Sequence, residues 1–190
     1  MTLEEQSANF LKEAKRLLDG LEIPFCLFLG TALGAYRDKK FCDGDEDDID
    51  LAIEGKYYSR IEEIKEAFKN YNNSHHWKPD DGNCQEISFE IGGGKNRTKI
   101  DIFFISEIDG KAAWKFYPHD NPNQAVTKVI DKKFIEKFDK IMFYGEEFNI
   151  PSDIEGYLKA NYGDWKTPLH RRVFTWQNNN DCEIYEDTTC

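Results

Sequence analysis

Two aspartates separated by a single residue are the most chemically informative feature of this sequence. Asp48 and Asp50 lie in a stretch where acidic and apolar residues alternate as far as Ile53. A period of two predicts a strand, with both carboxylates on one face while Ile49 and Leu51 face the core. Neighbouring carboxylates repel each other unless a cation lies between them, and such oxygen ligands suit Mg²⁺ or Mn²⁺. The pattern therefore predicts a divalent metal site held by Asp48 and Asp50.

A glycine and a threonine upstream of these aspartates predict a second part of the site. Gly30 and Thr31 follow the apolar run 25–29, and the small residues of 32–35 predict the first turns of a helix. A glycine allows close approach of the backbone, and the free N–H groups at a helix N-terminus bind anions. An anion cradle beside metal-binding carboxylates is typical of phosphate chemistry, so we expect Gly30 and Thr31 to bind phosphate oxygens.

Asp101 is the third acidic candidate. It lies within the apolar run 100–105, where a carboxylate is costly unless it is paired, bound to a metal or at a cleft. Two interpretations stay open. Asp101 is either an aspartate paired with a lysine such as Lys99, or a third acid that binds a metal or takes the proton of an attacking hydroxyl.

Basic residues at three places are candidates for contact with substrate phosphate. Arg37 lies one to two helical turns after the threonine, and an ordinary surface position is its alternative. Lys95 and Arg97 follow a triple glycine, where a plain hairpin turn is the alternative. Arg171 and Arg172 belong to the densest basic patch of an acidic chain, and we expect them to close over a nucleotide or acceptor phosphate.

The acidic loop before the aspartate pair allows two other interpretations. One is a solvated surface loop. The other is a calcium-binding EF-hand, because Asp43, Asp45, Asp47 and Glu54 occupy positions 1, 3, 5 and 12 of such a loop. Position 6 of an EF-hand requires a glycine but is Asp48 here, and the following residues predict a strand, so the EF-hand is disfavoured.

Taken together, these pieces resemble the nucleotidyltransferase fold and, more narrowly, the LicD and fukutin-related family. That family usually shows GTxLGAxR followed by Trp-Asp-x-Asp-x-Asp. The corresponding pieces here are GTALGAYR at 30–37 and EDDIDLAI at 46–53. KIDIF at 99–103 and the segment 150–165 follow in the same order, so the resemblance spans about residues 25–172.

The resemblance implies both a fold and an activity. The implied fold is α+β, a mixed β-sheet that carries Asp48, Asp50 and Asp101 with helices packed on it. The implied reaction transfers phosphocholine or an alditol phosphate from a CDP-activated donor, such as CDP-choline or CDP-ribitol, to a glycan or other hydroxyl acceptor. The chain departs from the family pattern where Asp45 replaces the usual tryptophan and Glu46 the first acid.

Two other functions stay open. A true nucleotidyltransferase would use the same three acids to move NMP from an NTP onto a small hydroxyl compound. A catalytically inactive domain would bind a nucleotide or a partner protein, although the intact acids count against it.

Size and charge limit the remaining possibilities. A chain of 190 residues predicts one domain over 1–176, followed by a polar tail at 177–190 that we expect to be frayed. The net charge of −11 argues against nucleic-acid or anionic-membrane binding. No apolar run approaches the ~20 residues of a membrane span, and the first residues do not look like a signal peptide. These features, with scattered free cysteines, predict a cytoplasmic protein.

The hydrophobic pattern predicts an alternation of short helices and strands. Helices are expected at 3–18, 57–68 and 154–160, strands at 25–29, 48–53, 86–91, 99–105 and 112–117, and a hairpin over 141–150. Gly20 is the expected C-cap of the first helix and Ser152 the expected N-cap of the last. The polar stretch 70–83 predicts a loop, and 130–138 has mixed helical character.

Overall fold

The computed structural model describes residues 1–77, 85–116, 126–169 and 183–186, and it shows the expected α+β fold. The α-helices are α1 (Leu3–Gly20), α2 (Leu29–Leu33), α3 (Ile61–Ala67) and α4 (Ile154–Tyr162). The strands are β1 (Phe25–Leu27), β2 (Asp48–Glu54), β3 (Asn72–Trp77), β4 (Glu86–Ile91), β5 (Thr98–Ile108), β6 (Lys111–Phe116), β7 (Val126–Asp131), β8 (Phe138–Phe143), β9 (Glu146–Pro151) and β10 (Glu183–Glu186).

Strand β5 is the centre of the main sheet, which contains eight strands among the described residues. The first part of β5 pairs with β2 in parallel and with β4 in antiparallel orientation. Its last residues, Ser106–Ile108, pair with β6, and the sheet continues through β7 to β10. The middle of the strand, residues 100–104, is buried and apolar except for Asp101, because both of its faces are covered.

Helix α1 packs against the beginning of β5. Its apolar side chains recur at helical spacing and are buried, which gives the predicted amphipathic helix. Thr2 caps its N-terminus, since its Oγ1 accepts from the N–H of Glu5 at 3.1 Å. On the sheet side, Ser7 Oγ lies 3.0 Å from Thr98 Oγ1, so a polar contact joins the helix to the first residue of β5.

An aromatic cluster lies beneath the turn between β1 and α2. The ring centroid of Phe28 lies 5.1 Å from that of Trp114 and 6.0 Å from that of Tyr157. All three side chains are buried, and burial of each aromatic ring stabilises the fold by about 1.5–3 kcal/mol. The cluster therefore anchors the chain immediately before Gly30.

The two-stranded hairpin β8–β9 covers the free edge of β1. Asn149 Nδ2 donates to the carbonyl oxygen of Phe25 at 2.6 Å, and the Phe148 ring packs on the Phe25 ring. The hairpin was predicted from its sequence, and at this sheet edge it satisfies the Phe25 carbonyl oxygen, which an open edge would expose.

Several predicted elements differ from the structure. The stretch 70–83 was expected to be a loop, but its residues 72–77 form β3, an edge strand paired with β4. Polar residues are tolerated there because an edge strand can face water. The mixed segment 130–138 is not a helix: β7 ends at Asp131 and one 3₁₀ turn follows at Lys132–Phe134.

The predicted helix ends and the tail also need correction. Gly20 lies inside α1, whose C-cap is Leu21, and the N-cap of α4 is Asp153 rather than Ser152. The Asp153 carboxylate accepts from the N–H of Gly156 at 3.1 Å, so α4 is capped by a charged residue one position after the expected Ser152. Residues 183–186 of the tail, expected to be frayed, pair with β7.

Candidate functional site

The three predicted aspartates meet where β2 and β5 begin. The parallel register places Asp48 beside Lys99 and Asp50 beside Asp101. One carboxylate oxygen from each of Asp48, Asp50 and Asp101 can be chosen so that the three lie within 4.8 Å of one another. Strand alternation and parallel pairing thus place on one face three acids that are distant in sequence.

The charges of this cluster oppose one another in the absence of a cation. Burial, followed by the negative charges of Asp48 and Asp101, raises the pKa of Asp50 well above its ordinary value. Mg²⁺ bonds of ~2.1 Å place ligand oxygens about 3–4 Å apart, which small side-chain rotations from the observed separation would give. The donor set and its spacing therefore fit a divalent cation.

Gly30 and Thr31, predicted to bind phosphate, both contact Asp50 in this structure. The Gly30 N–H donates to Asp50 Oδ2 at 3.0 Å, and Thr31 Oγ1 accepts from the Asp50 N–H at 2.9 Å. The first bond holds the Asp50 carboxylate and the second holds its backbone. Their direct contact with phosphate stays a prediction.

The backbone at Leu29 and Gly30 is tightly constrained. Leu29 has a φ of +35°, which is strained for a leucine, and its N–H donates to Tyr157 Oη at 3.0 Å. A Cβ added to Gly30 would lie 2.7 Å from Asp45 Oδ2 and 3.4 Å from Asp50 Oδ2. A side chain at this position would require the Asp45 carboxylate to move, because that carboxylate approaches the backbone so closely.

Lys99 and Ser88 hold Asp101. Lys99 Nζ lies 2.6 Å from Asp101 Oδ2 and 3.6 Å from Asp48 Oδ1, and Ser88 Oγ donates to Asp101 Oδ1 at 2.5 Å. Burial is the main effect that raises the pKa of Asp101, to about 6, although Lys99 opposes it. The pairing with Lys99 and the membership of the acid cluster are both observed, so the two interpretations of Asp101 are compatible.

Glu86 is a further acid near the cluster, and the sequence analysis did not identify it. It lies on β4, its side chain is almost fully buried, and Ser88 Oγ is 3.4 Å from its Oε1. Burial and the charge of Asp101 raise the pKa of Glu86 to about 8. The alternation of Glu86, Ser88 and Glu90 on a predicted strand was the available signal, but the pairing of that strand with β5 was not known.

Arg37 has a different environment from the one expected of a phosphate ligand or a surface arginine. Its Nε and Nη2 donate to the Asp38 carboxylate at 2.8 and 2.7 Å, and its Nη1 donates to the carbonyl oxygen of Trp165 at 3.0 Å. The arginine therefore joins the helical turn after α2 to the chain that follows α4. A role in phosphate binding stays a prediction.

The other basic candidates divide into two groups. Lys95 and Arg97 lie in the β4–β5 turn, at the same end of the sheet as the acids, and both are exposed. Arg97 Nη1 lies 3.2 Å from Glu90 Oε1. Arg171 and Arg172 lie outside the described residues.

The calcium-loop alternative is wrong. Glu54, its expected final ligand, is at the opposite end of β2, where it pairs with Lys56 at 2.5 Å. Asp43 is exposed and pairs with Lys40, as in the solvated-loop interpretation. Asp45 differs, since its carboxylate lies against Gly30 beside the cluster.

Tyr162 at the end of α4 is another residue that the sequence analysis missed. Burial, and then the charges of groups that include Asp50 and Asp45, raises its pKa well above the ordinary value. It therefore forms part of the surroundings of the acids. Only the folding of α4 over the β1–α2 turn brings it there.

Comparisons with known proteins identify the family of this chain. The sequence model of the family described as LicD/FKTN/FKRP, nucleotidyltransferase domain, matches residues 22–153, which is more than half of the chain. Ribitol-5-phosphate transferase FKTN from Mus musculus is 30% identical over 185 residues, and the match covers 94% of this chain and 36% of the relative. The Macaca fascicularis protein is 30% identical over 186 residues, covering 93% and 36%.

The chain spans about a third of the length of these relatives. Within the part of the chain that the structure describes, no helix combines the length and apolar character that a membrane span requires.

The family match contains all three acids, the Gly30–Thr31 turn and the strands that position them. On this match and this geometry, the chain belongs to the LicD/FKTN/FKRP family of nucleotidyltransferase domains.

Proposed function

We propose that this domain transfers an alditol phosphate, with ribitol 5-phosphate the first candidate, from a CDP-activated donor to a hydroxyl group of a glycan or a smaller acceptor. The observation that carries the proposal is the convergence of Asp48, Asp50 and Asp101 at the beginning of two parallel strands. The relatives named ribitol-5-phosphate transferase favour ribitol over choline as the transferred alcohol.

Asp48 and Asp50 would hold Mg²⁺ or Mn²⁺. When bound, the cation would neutralise the donor pyrophosphate and favour departure of CMP. Gly30 and Thr31 keep Asp50 in place for this role through the two hydrogen bonds to its carboxylate and its N–H.

Asp101 would orient the acceptor hydroxyl and take its proton as the oxygen attacks phosphorus. Its pKa of about 6 leaves it ionised at neutral pH, yet closer to neutrality than an ordinary aspartate, which suits a general base. Ser88 and Lys99 fix the carboxylate from two sides, so its orientation does not depend on the substrate. The exposed Lys95 and Arg97 would contact donor phosphate from the adjacent turn.

The test is product analysis with a panel of donors. Wild type and Asp48→Asn are incubated with Mg²⁺ or Mn²⁺, glycan and small-alcohol acceptors, and CDP-ribitol, CDP-glycerol, CDP-choline or each NTP. We expect CMP and an alditol-phosphate product from CDP-ribitol or CDP-glycerol, and none from Asp48→Asn.

Other outcomes would overturn the proposal in distinct ways. CMP from CDP-choline alone would identify a phosphocholine transferase, and pyrophosphate from an NTP would identify a nucleotidyltransferase. Turnover that persists in EDTA would contradict the metal assignment. A wild type that binds CDP-ribitol but releases no CMP with any acceptor would indicate the inactive binding domain.

A cytoplasmic location stays a prediction, which fluorescence microscopy of a tagged chain would test.

A further inference from the structure

A lysine lies inside the acid cluster. The ammonium of Lys99 contacts both Asp101, at 2.6 Å, and Asp48, at 3.6 Å. Its side chain is 27% exposed, compared with 63% for Lys56 at the other end of β2. A cation is thus built into the protein at a place where a metal ion would share the same two carboxylates.

The sheet directs Lys99 to these aspartates. The N–H of Lys99 donates to the carbonyl oxygen of Asp47 at 2.8 Å, which fixes the lysine beside the first residue of β2. Its cross-strand neighbour on the other side is Glu90, and that carboxylate is paired with Arg97. The lysine and Asp101 are two residues apart on β5, so they share a face.

One further divalent cation would offset the remaining charge of the three aspartates and the lysine. The ionised carboxylates of Asp48, Asp50 and Asp101 and the ammonium of Lys99 sum to a charge of −2, with Asp45 beside this set. Two-metal sites place their ions about 3.5–4 Å apart, with carboxylates shared between them. The contacts of Lys99 place its ammonium between Asp48 and Asp101, which are then no longer free to share a second metal.

We propose that Lys99 takes the place of a second metal ion, so that the site binds a single divalent cation at Asp48 and Asp50. The ammonium also supplies the second positive charge that faces the donor phosphates. This inference rests on the proposed metal-binding role of the acids and concerns the number of ions and not the reaction.

The test is metal stoichiometry without donor. The metal-free protein is titrated with Mn²⁺ to millimolar concentration, and free Mn²⁺ is measured by electron paramagnetic resonance. We expect one tightly held ion per chain in wild type and two in Lys99→Met, because the vacated position between the aspartates then takes a metal. Lys99→Arg keeps the charge and should bind one ion. Lys56→Met removes a lysine from an exposed pair just beyond the end of β2 and should also bind one.

The proposal would be overturned if wild type bound two ions or none. It would also be overturned if a folded Lys99→Met bound only one ion. If Lys99→Met does not fold, as judged by circular dichroism, Lys99→Gln replaces it, and the wild-type stoichiometry remains decisive by itself. Failure of the proposed function looks different. One ion in wild type without transfer from any donor overturns the reaction alone, whereas transfer with two ions overturns the role of Lys99 alone.

Discussion

The two ends of the paired strands β2 and β5 carry the same kinds of charged side chain in opposite environments. Where the strands begin, the side chain of Asp101 is 7% exposed and that of Lys99 27%. Where β2 ends, Glu54 and Lys56 pair at 2.5 Å but are 66% and 63% exposed. Asp50 and Asp101 at the first end have raised pKa values, because they are withdrawn from water beside like charges.

A cavity lies at the second end. A groove of about 740 Å³ opens there, lined by residues that include Cys26, Glu54 and Ile135. Its ion pairs, such as Lys132 with Glu107 at 2.8 Å, are half exposed and each charge has a partner. This groove lies away from Asp48, Asp50 and Asp101, and the opposed charges of the acids, not the groove, make the first end the candidate site.

Turnover should show the largest difference between the two ends. Asp50→Asn removes a proposed metal ligand and should lower kcat by more than about 100-fold, since even indirect partners of a metal site cost 10–100-fold. Glu54→Gln, at the other end of the same strand, should change kcat less than twofold. Steady-state CMP release measures both. Equal losses in the two variants would show that β2 acts only as a structural element.

The second largest effect should be the pH dependence of the free energy of unfolding of the metal-free protein. Glu86 keeps its proton up to a pKa of about 8 when folded, compared with an ordinary value of 4.5, so the folded state binds more protons between these values. The free energy of unfolding should therefore fall as pH rises from 5 to 8. Lys99, whose pKa is raised, loses its stabilising charge only at much higher pH and does not affect this window.

Glu86→Gln should flatten this slope, by up to about 1.4 kcal/mol per pH unit, the limit for one titrating group. Urea unfolding in EDTA at pH 5, 6, 7 and 8 measures the slope, with Glu54→Gln as the exposed control. Curves for wild type and Glu86→Gln that run parallel would show that Glu86 titrates normally.

The smallest effects should be those of neutralising single charges at fixed pH. In EDTA, Asp50→Asn should raise the free energy of unfolding by about 1–2 kcal/mol, because it removes a repelling buried charge and its amide oxygen can still accept from Gly30. Lys56→Met should shift the thermal midpoint by only about 1 °C, since exposed pairs add little. Calorimetry distinguishes the two. Destabilisation by Asp50→Asn would show that the cluster is not under electrostatic strain.

Alternation and composition identified the local features of this protein. The period of two around Asp48 and Asp50 predicted both the strand and the shared face of its carboxylates, and the apolar run around Asp101 predicted the central strand. The first helix and the β8–β9 hairpin were predicted as well, because their patterns depend on contacts close in sequence. The order of the motifs was enough to indicate the family.

Strand pairing was decided only by the tertiary structure. The register that places Lys99 beside Asp48, and Ser88 beside Asp101, joins segments that are more than ten residues apart, and no local pattern specifies it. Burial followed from the same pairing, so the sequence alone did not show that Glu86 would carry a pKa near 8. The sequence by itself determined which acids could bind a metal. Folding decided what surrounds them, because the pKa of a carboxylate and the position of a counter-ion depend on neighbours that only the assembled sheet supplies.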